Sequence, residues 1–215
     1  MITKKLLLIG GGGHCKSVLD SLLESMQYSE IGIIDKKENV GKMILDNRII
    51  GCDDDLIKLY QLGYQYAFVT LGSVGDPSLR VKLFIMLEEI GFDIPNIIDL
   101  SATVSKYVSM KTGVYIGKNV VVNAGTSIGK GSIINTSATI EHDCKIEKYS
   151  HIAPGAVICG EVKIGEQSHI GASSVVRQQV KIGAHTIIGM GSVVLQDIGD
   201  YKIAYGNPCK EAKSK

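Results

Sequence analysis

The longest pattern in the chain is a hydrophobic position that recurs at every sixth residue from Ile98 to Val194. Sixteen of the seventeen residues in this column are Ile or Val, whereas the column three positions later, from Ser101 to Asp197, contains no Ile, Val or Leu. A period of six does not fit an α-helix, whose apolar face recurs at intervals of three and four residues. The pattern therefore predicts a repeat structure over nearly half of the chain.

The positions around the aliphatic column indicate short strands joined by tight corners. Two positions before each aliphatic residue the side chain is mostly small, and one position after it glycine is frequent. Two inward residues with one outward residue between them form a short strand, and glycine tolerates the positive φ that corners often need. Three six-residue sides make a coil of 18 residues, and successive coils stack at the strand spacing of about 4.8 Å. The sequence therefore predicts a parallel β-helix, because an ordinary β-sandwich has less regular strands.

The residues before the repeat predict a separate α/β domain with a Rossmann-like, doubly wound parallel sheet, because apolar strand-like runs alternate with helical patterns. The predicted strands are Lys5–Ile9, Ile31–Ile34 and Tyr66–Leu71, and helices are predicted after Gly13, around Asp54–Gln61 and over Ser78–Ile90. We place the boundary near Pro95. The expected domains are a nucleotide-sugar-binding domain at 1–95, a β-helix at 96–200 and a C-terminal tail at 201–215.

A glycine-rich turn predicts a nucleotide site in the α/β domain. Gly10 to Gly13 follow the first strand and lead into a helix, whose N-terminal N–H groups can bind phosphate. Asp35 ends the second strand about twenty residues further on, where an acidic residue can hold a nucleotide. The strict GxGxxG pattern is broken at Cys15 and the domain is small for a dinucleotide, so a nucleotide-sugar fits better. The alternative is a tight strand–helix turn without a ligand.

The segment Ile140–Cys144, which reads Ile-Glu-His-Asp-Cys, contains the strongest candidate for acid–base catalysis. His142 falls at a corner of the predicted coil, should project outward, and has an acidic residue on each side. A nearby carboxylate fixes the tautomer of an imidazole and stabilises the imidazolium, which suits a general base near neutral pH. The alternative is a solvated corner histidine beside surface charges.

Two further histidines, His151 and His169, are 18 residues apart and should stack on adjacent coils. Three histidines on a β-helix raise a second hypothesis, a zinc site like that of the γ-class carbonic anhydrases. His142 and His151 lie on different sides of a coil and their spacing does not match that enzyme class, so we expect no metal. Cys144 occupies the small inward column and is interpreted as core packing.

Composition and charge argue against several classes of partner. The formal net charge is +1, so the chain has no basic field for nucleic acid. Its apolar runs extend over only a few residues, so we expect neither a membrane span nor a secretory leader. Five scattered cysteines without CxxC spacing favour a reducing, cytoplasmic location.

Several motifs together resemble one family of bacterial sugar O- and N-acetyltransferases, the NeuD/PglD family of hexapeptide-repeat enzymes. They are the Gly-Gly-His at residues 12–14, Asn135-Thr136-Ser137, the segment around His142, Ser150–Gly155, and Gly206-Asn207-Pro208. The resemblance covers both domains. It implies a left-handed β-helix, a homotrimer with active sites between subunits, acetyl-CoA as co-substrate and a nucleotide-sugar as acceptor.

The resemblance also implies roles for individual residues. His142 would deprotonate the acceptor as it attacks the thioester directly, and Asp143, where the family often has Glu, would orient the imidazole. Acetyl-CoA would contact His151, Gly160, Ala172, Gly189 and Met190. The acceptor would contact Gly13, His14, Asp35, Lys36, Gly72, Ser73 and Asn135.

The leading prediction is N-acetylation of the 4-amino group of a nucleotide-linked amino-deoxy sugar for a surface glycan. Two alternatives stay open. One is O-acetylation of sialic acid or a related sugar, and the other is a scaffold that binds a nucleotide-sugar without catalysis.

Overall fold

The structure is a computed structural model that describes residues 4–214. Contacts within the chain divide it into two units. The first unit contains the residues up to 73 together with 78–97, and the second contains 74–77 and the chain from residue 98 onward. Each unit has a core of its own, so the two are described in turn.

The first unit is a five-stranded sheet with three α-helices. Its strands are β1 Lys5–Ile9, β2 Glu30–Ile34, β3 Met43–Ile44, β4 Asn47–Gly51 and β5 Tyr66–Val69. Its α-helices are α1 Gly13–Ser25, α2 Leu56–Gln61 and α3 Ser78–Ile90. The strand order is β3-β4-β2-β1-β5, in which β4, β2, β1 and β5 are parallel and β3 is antiparallel to β4. The carboxyl ends of the four parallel strands therefore share one edge.

The parallel part of this sheet confirms the α/β prediction, whereas the hairpin β3–β4 was not predicted. Strand β3 has two residues, and Met43 and Leu45 are exposed, so no buried apolar run marks the hairpin in the sequence. The centre of the sheet is β1, where Leu6, Leu7 and Leu8 are fully buried between β2 and β5. A continuous apolar run is typical of a parallel strand covered on both faces.

The second unit is the predicted parallel β-helix, built from two-residue strands. They are β6 Ile97–Ile98, β7 Thr103–Val104, β8 Ser109–Met110, β9 Tyr115–Ile116, β10 Val121–Val122, β11 Ser127–Ile128, β12 Ile133–Ile134, β13 Thr139–Ile140, β14 Lys145–Ile146, β15 His151–Ile152, β16 Val157–Ile158, β17 Lys163–Ile164, β18 His169–Ile170, β19 Val175–Val176, β20 Lys181–Ile182, β21 Ile187–Ile188 and β22 Val193–Val194.

Each strand pairs in parallel with every third strand along the chain, which gives three flat faces. We call the sheet that starts with β6 the first face, the one that starts with β7 the second face, and the one that starts with β8 the third face. Ile140, for example, is in register with Ile158, one 18-residue coil later. The observed coil has the length that the six-residue period predicts.

The aliphatic column forms the core of the β-helix. Every residue of this column from Ile116 to Val194 is buried. The small residues two positions earlier, such as Ala138, Cys144 and Ala156, are buried beside it. Each buried Ile or Val contributes about 1.5–3 kcal/mol relative to an exposed side chain. The repeated column therefore stabilises every coil in the same way.

The glycines one position after the aliphatic column have a different role from the predicted one, whereas others, such as Gly125 and Gly155, do adopt a positive φ at corners. Positive φ angles lie three positions after the aliphatic column, and many of the residues there, such as Asn119, Asp143 and Gln167, are not glycine. The glycine-rich column, one position after the aliphatic residue, lies against the backbone of the next coil. A Cβ on Gly165 would be 2.6 Å from the carbonyl carbon of Gly183. The prediction was wrong here, because close approach rather than a left-handed conformation requires glycine in this column.

The outward residues differ from face to face although the inward residues are alike. On the first face they are Ile97, Tyr115, Ile133, His151, His169 and Ile187, of which all but Ile187 are buried. On the second face they are Thr103, Val121, Thr139, Val157, Val175 and Val193, all β-branched, and none is buried within the described chain. On the third face they are Ser109, Ser127, Lys145, Lys163 and Lys181, and the lysines are exposed. The second face is thus mostly apolar and open, whereas the third face is charged.

The residues after the last coil extend the first face. Strand β23, Lys202–Gly206, pairs in parallel with β21, and β24, Cys209–Ser214, turns back antiparallel to β23. The segment expected as a tail therefore contains a hairpin. Within residues 4–214, no α-helix combines the length and the hydrophobicity of a membrane span.

Candidate active site

His142 and Asp143 lie side by side on the corner between β13 and β14, which joins the second face to the third. Nδ1 of His142 is 2.9 Å from Oδ2 of Asp143, and more than half of each side chain is exposed. Donation from Nδ1 to the carboxylate leaves Nε2 as the basic ring nitrogen. The shorter side chain of Asp143 therefore reaches the imidazole, and the imidazole is open to a ligand.

Two glycines on adjacent coils make room for this pair. A Cβ on Gly160, one coil later, would be 2.6 Å from Nε2 of His142. A Cβ on Gly125, one coil earlier, would overlap Oδ1 of Asp143. Any larger residue at either position would displace the imidazole or the carboxylate. Gly160 is thus next to the basic nitrogen of His142.

The charges around His142 favour its protonated form. The hydrogen bond with Asp143 is the main effect that raises the pKa of His142 above its ordinary value, and the negative charges of Glu141 and Glu161 act in the same direction. Glu141 is itself held by Asn123, whose Nδ2 donates to Oε2 at 2.9 Å. The site therefore stabilises the imidazolium that a general base becomes when it accepts a proton.

His151 and His169 lie on the first face, on paired strands β15 and β18. Their ring centroids are 4.9 Å apart in an edge-to-face arrangement, as the 18-residue spacing predicts. Nδ2 of Asn135 is 3.2 Å from Nε2 of His151. Asn135 was predicted to contact the acceptor and His151 to contact acetyl-CoA. The two side chains are nevertheless in contact with each other on this face.

Ala172, Gly189 and Met190 lie along the corner between the first and second faces. The N–H of Gly191 donates to the carbonyl of Ala172 at 2.8 Å, so the two corner segments are stacked. Met190 is 81% exposed. Gly160 lies on the opposite corner of the second face. Within one chain, the structure therefore brings Gly160 to His142 and leaves the other predicted acetyl-CoA residues on the far side of the second face.

The α/β unit contains a cavity of about 320 Å³ at the carboxyl edge of its parallel strands. Its wall combines the turn after β1, the residues after β2 and apolar side chains. They are Ile9, Gly10, Gly11, Gly12, Ile34, Asp35, Lys36, Asp53, Leu71, Leu79 and Leu83. A second cavity of about 320 Å³ shares Asp35, Lys36 and Asp53 with the first. This edge is where ligands bind in open parallel sheets.

Asp35 shapes this cavity as well as lining it. Its Oδ2 accepts the N–H of Gly11, and its Oδ1 accepts the N–H of Lys36 at 2.6 Å and Nδ2 of Asn39 at 3.1 Å. Partial burial opposes ionisation of this carboxyl, but the three hydrogen bonds outweigh it and lower the pKa of Asp35. Asp35 is therefore a carboxylate at neutral pH and fixes the glycine turn.

The other predicted acceptor residues of this unit lie beside the cavity rather than in its wall. Gly13 is the first residue of α1, and a Cβ on Gly72 would be 3.7 Å from Cβ of His14. Ser73 is buried. Of the residues assigned to the acceptor in this unit, only Asp35 and Lys36 are in the wall itself, together with Gly10, Gly11 and Gly12 of the predicted phosphate turn. Gly13 and His14 follow the wall residue Gly12 in the chain, and Gly72 and Ser73 follow the wall residue Leu71.

Sequence reasoning missed Asp53 and the apolar wall of Leu71, Leu79 and Leu83. Asp53 follows β4 in the same way as Asp35 follows β2, so the carboxyl end of β4 would have been the signal. That signal depends on recognising the hairpin β3–β4. The leucines have no chemical signature, because an apolar side chain in a cavity wall resembles core packing in the sequence.

The cysteines of the described chain are all unpaired. Burial raises the pKa of Cys144 to about 11, so it is a protonated thiol near neutral pH, and its Sγ donates to the carbonyl of Cys159 at 3.1 Å. Among residues 4–214, no three His, Cys, Asp or Glu side chains are grouped as metal ligands.

Comparison with known protein families agrees with this two-part architecture. Residues 5–87 match the PglD N-terminal domain family. Residues 125–160 and 161–196 match the bacterial transferase hexapeptide family of six repeats, and residues 107–130 match the hexapeptide repeat of succinyl-transferase.

Solved structures resemble the chain over its whole length. A perosamine N-acetyltransferase from Caulobacter crescentus, a histidine-to-asparagine mutant in complex with CoA and GDP-perosamine, is 35% identical, with 98% of this chain and 97% of that chain covered and a TM-score of 0.91. The acetyltransferase domain of PglB from Neisseria gonorrhoeae, in complex with acetyl coenzyme A, is 33% identical, with 98% and 100% covered and a TM-score of 0.91. WeeI from Acinetobacter baumannii, at 21% identity and a TM-score of 0.86 with 98% and 100% covered, shares the fold.

An α/β domain with a ligand edge followed by a hexapeptide β-helix with an exposed imidazole–carboxylate pair defines an acyltransferase of the hexapeptide class. The chain belongs to the NeuD/PglD family of sugar acetyltransferases.

Proposed function

We propose that the protein transfers the acetyl group of acetyl-CoA to the 4-amino group of a nucleotide-linked amino-deoxy sugar, with His142 as the general base. The observation that carries this proposal is the exposed imidazole of His142, oriented by Asp143 at 2.9 Å and adjoining the backbone of Gly160. The chain also belongs to the same family as two proteins whose structures contain CoA with GDP-perosamine and acetyl coenzyme A, respectively.

The proposed chemistry is a direct transfer. The neutral sugar amine attacks the thioester carbonyl, Nε2 of His142 accepts the proton that the nitrogen loses, and the carbon–sulfur bond breaks. The thiolate of CoA leaves and is protonated to the free thiol. A positioned imidazole contributes roughly 10²–10⁴-fold to such a step. Asp143 keeps the proton on Nδ1 and stabilises the imidazolium, so no covalent acyl-enzyme is required when both substrates are held together.

The arrangement of the two corners supports a homotrimer. His142, Asp143 and Gly160 lie on one side of the second face, and Ala172, Gly189 and Met190 lie on the other. A closed ring of three copies, built on the open β-branched residues of the second face, would bring one corner of each copy to the opposite corner of its neighbour. Acetyl-CoA would then bind between copies, with Asn135 and His151 near its reactive end.

The nucleotide is proposed to bind the α/β unit at the carboxyl edge of the sheet. Gly13 and His14 begin α1, whose N-terminal N–H groups suit a diphosphate. Asp35 and Lys36 in the cavity wall would hold the nucleoside, with Gly72 and Ser73 alongside. The unpaired cysteines fit a cytoplasmic location, where activated sugars for a surface glycan would be acetylated.

The test uses the purified full chain with acetyl-CoA and a panel of acceptors. The panel contains GDP-, UDP- and dTDP-linked 4-amino sugars and free sialic acids, and release of the CoA thiol is followed. We expect release with one nucleotide-linked amino sugar and a product acetylated on nitrogen. Release with sialic acid alone would replace this proposal by O-acetylation, and no release with any acceptor would favour a scaffold.

The role of His142 is tested in the same assay. We expect His142→Ala to lower kcat by roughly 10²–10⁴-fold with little change in acetyl-CoA affinity. His185→Ala is the matched control, because His185 lies on a different corner, stacked on Tyr201. Normal turnover by His142→Ala would remove the assignment of the base.

A further inference from the structure

The corner that carries His142 and Asp143 is closed by a buried hydroxyl from the coil before it. Thr126 is fully buried in the inward column. Its Oγ1 donates to the carbonyl of Glu141 at 2.8 Å and accepts the N–H of Cys144 at 3.1 Å. One hydroxyl therefore joins the first carbonyl and the last amide of the four-residue corner 141–144.

The exposed pair depends on this backbone for its geometry. Both side chains are more than half exposed, so contacts with neighbouring side chains contribute little to their positions. Asp143 adopts a left-handed conformation with φ 59°, which is the conformation of this corner position in many other coils. A rotation of the peptide at either end of the corner would change the direction of one Cβ relative to the other. The contact between Nδ1 of His142 and Oδ2 of Asp143 would then be lost.

The same bridge recurs at other corners, and one of them, the corner 199–202, has no place in the proposed site. Oγ1 of Thr186 donates to the carbonyl of Gly199 at 2.7 Å and accepts the N–H of Lys202 at 3.1 Å. Thr186 is as fully buried as Thr126. In the coil after Thr126, Cys144 occupies the equivalent position, and its thiol donates to the carbonyl of Cys159 at 3.1 Å. The chain thus offers a matched threonine and shows that a cysteine fits in this column.

We propose that Thr126 is a positioning residue for the reaction, whose hydroxyl holds the corner in the conformation that pairs Asp143 with His142. The proposal rests on the proposed function, because it assumes that His142 is the base. Thr126 lies inside the β-helix and acts only through the corner backbone. Its loss should therefore affect the acid–base step more than the binding of either substrate.

The main test is Thr126→Val, which keeps the shape of the side chain and removes the hydroxyl. We expect kcat to fall about tenfold or more, because small displacements of catalytic groups have effects of that size. We expect KM for acetyl-CoA and for the amino sugar to change less than about twofold. The acid limb of the pH–rate profile should move to lower pH, because His142 loses the hydrogen bond that raises its pKa.

Three further variants separate positioning from general stability. Thr126→Ser keeps the hydroxyl and should retain most of the wild-type kcat. Thr126→Cys should give an intermediate kcat, and it keeps the test available if the valine variant does not fold. Thr186→Val removes an equivalent bridge at another corner, and it should lower the melting temperature comparably while keeping the wild-type kcat and pH profile.

The outcomes are distinct. Wild-type kcat and an unchanged acid limb in Thr126→Val, or in Thr126→Cys if only that variant folds, would overturn the proposal. Equal losses of kcat in Thr126→Val and Thr186→Val would overturn it too, because the effect would then be one of stability. Wild-type turnover by His142→Ala would instead refute the proposed function, whatever the Thr126 variants do.

Discussion

The α/β unit and the β-helix position their polar side chains by different means. In the α/β unit the cavity residues Gly11, Asp35, Asp53 and Leu71 come from four separate loops, and Asp35 both shapes the cavity and faces it. In the β-helix the inward residues repeat from coil to coil, and the outward residues are largely free of the core. A substitution in the first unit should therefore change stability and ligand binding together. A substitution of an outward residue in the second unit should change function and leave folding intact.

The largest expected effect is a loss of assembly and activity in a β-helix that still folds. Val157→Glu places a carboxylate on the open second face, where the proposed trimer would bury it without a partner. We expect a folded monomer whose activity falls about 100-fold or more, because acetyl-CoA would no longer be held beside His142. Light scattering and circular dichroism measure assembly and folding. Lys163→Glu, on the charged third face, is the control and should remain trimeric and active. An active trimer of Val157→Glu would contradict the assignment of the interface.

The next effect concerns the two glycine positions of the repeat. A Cβ on Gly171 would be 2.6 Å from the carbonyl carbon of Gly189, so Gly171→Ala should lower the free energy of unfolding by about 1–3 kcal/mol or more. Gly191, with φ 67°, has open space around it, so Gly191→Asn should change the free energy of unfolding by less than about 1 kcal/mol. Denaturant titration measures both. Equal losses would contradict the distinction between close approach and left-handed conformation.

A mixed effect is expected at Asp35. Asp35→Asn disrupts hydrogen bonds to the glycine turn, and it should lower the free energy of unfolding by about 1–2 kcal/mol and weaken nucleotide-sugar binding, with acetyl-CoA binding unchanged. Calorimetric titration with each substrate and a denaturant curve give the three quantities. Glu38→Gln, on the neighbouring exposed segment, is the control. Unchanged stability with weakened binding would show that Asp35 is a ligand-binding residue alone.

The pH dependence of activity should show whether His142, paired with Asp143, is the group that titrates. The pKa of His142 is raised by Asp143, and a general base works when deprotonated, so activity should rise with pH through a value above about 6.5, the ordinary histidine pKa. Asp143→Asn removes the negative charge and should move this limb to lower pH while decreasing kcat. An unchanged limb in Asp143→Asn would show that another group titrates.

The smallest effect is expected at Cys144. Its raised pKa of about 11 keeps it protonated, and its thiol takes the place of a hydroxyl in the inward column. Cys144→Ser should therefore retain kcat within about twofold, because it removes no interaction specific to the transition state. Mass spectrometry after incubation with acetyl-CoA alone should show no acetylated protein. Loss of activity together with an acetylated wild-type Cys144 would contradict direct transfer.

The difference between the two units also explains what could be predicted from the sequence. A periodic core is visible in any stretch of the repeat, so the β-helix and the outward position of His142 follow from local spacing. The close approach of Gly165 to the next coil does not, because it depends on backbone 18 residues away. In the α/β unit Asp35 was found because it ends an apolar run. Asp53 was not, because it follows a hairpin with exposed residues.

The hairpin of β23 and β24 has a consequence for the last coil of the β-helix. A stack of identical rungs has no intrinsic stopping point, and its last rung offers unsatisfied backbone groups on which another chain can continue the stack. Because β24 runs antiparallel to β23, it breaks the parallel repeat at the end of the first face. Removal of β23 and β24 would expose the edge of β21, and we expect the shortened protein to aggregate more readily.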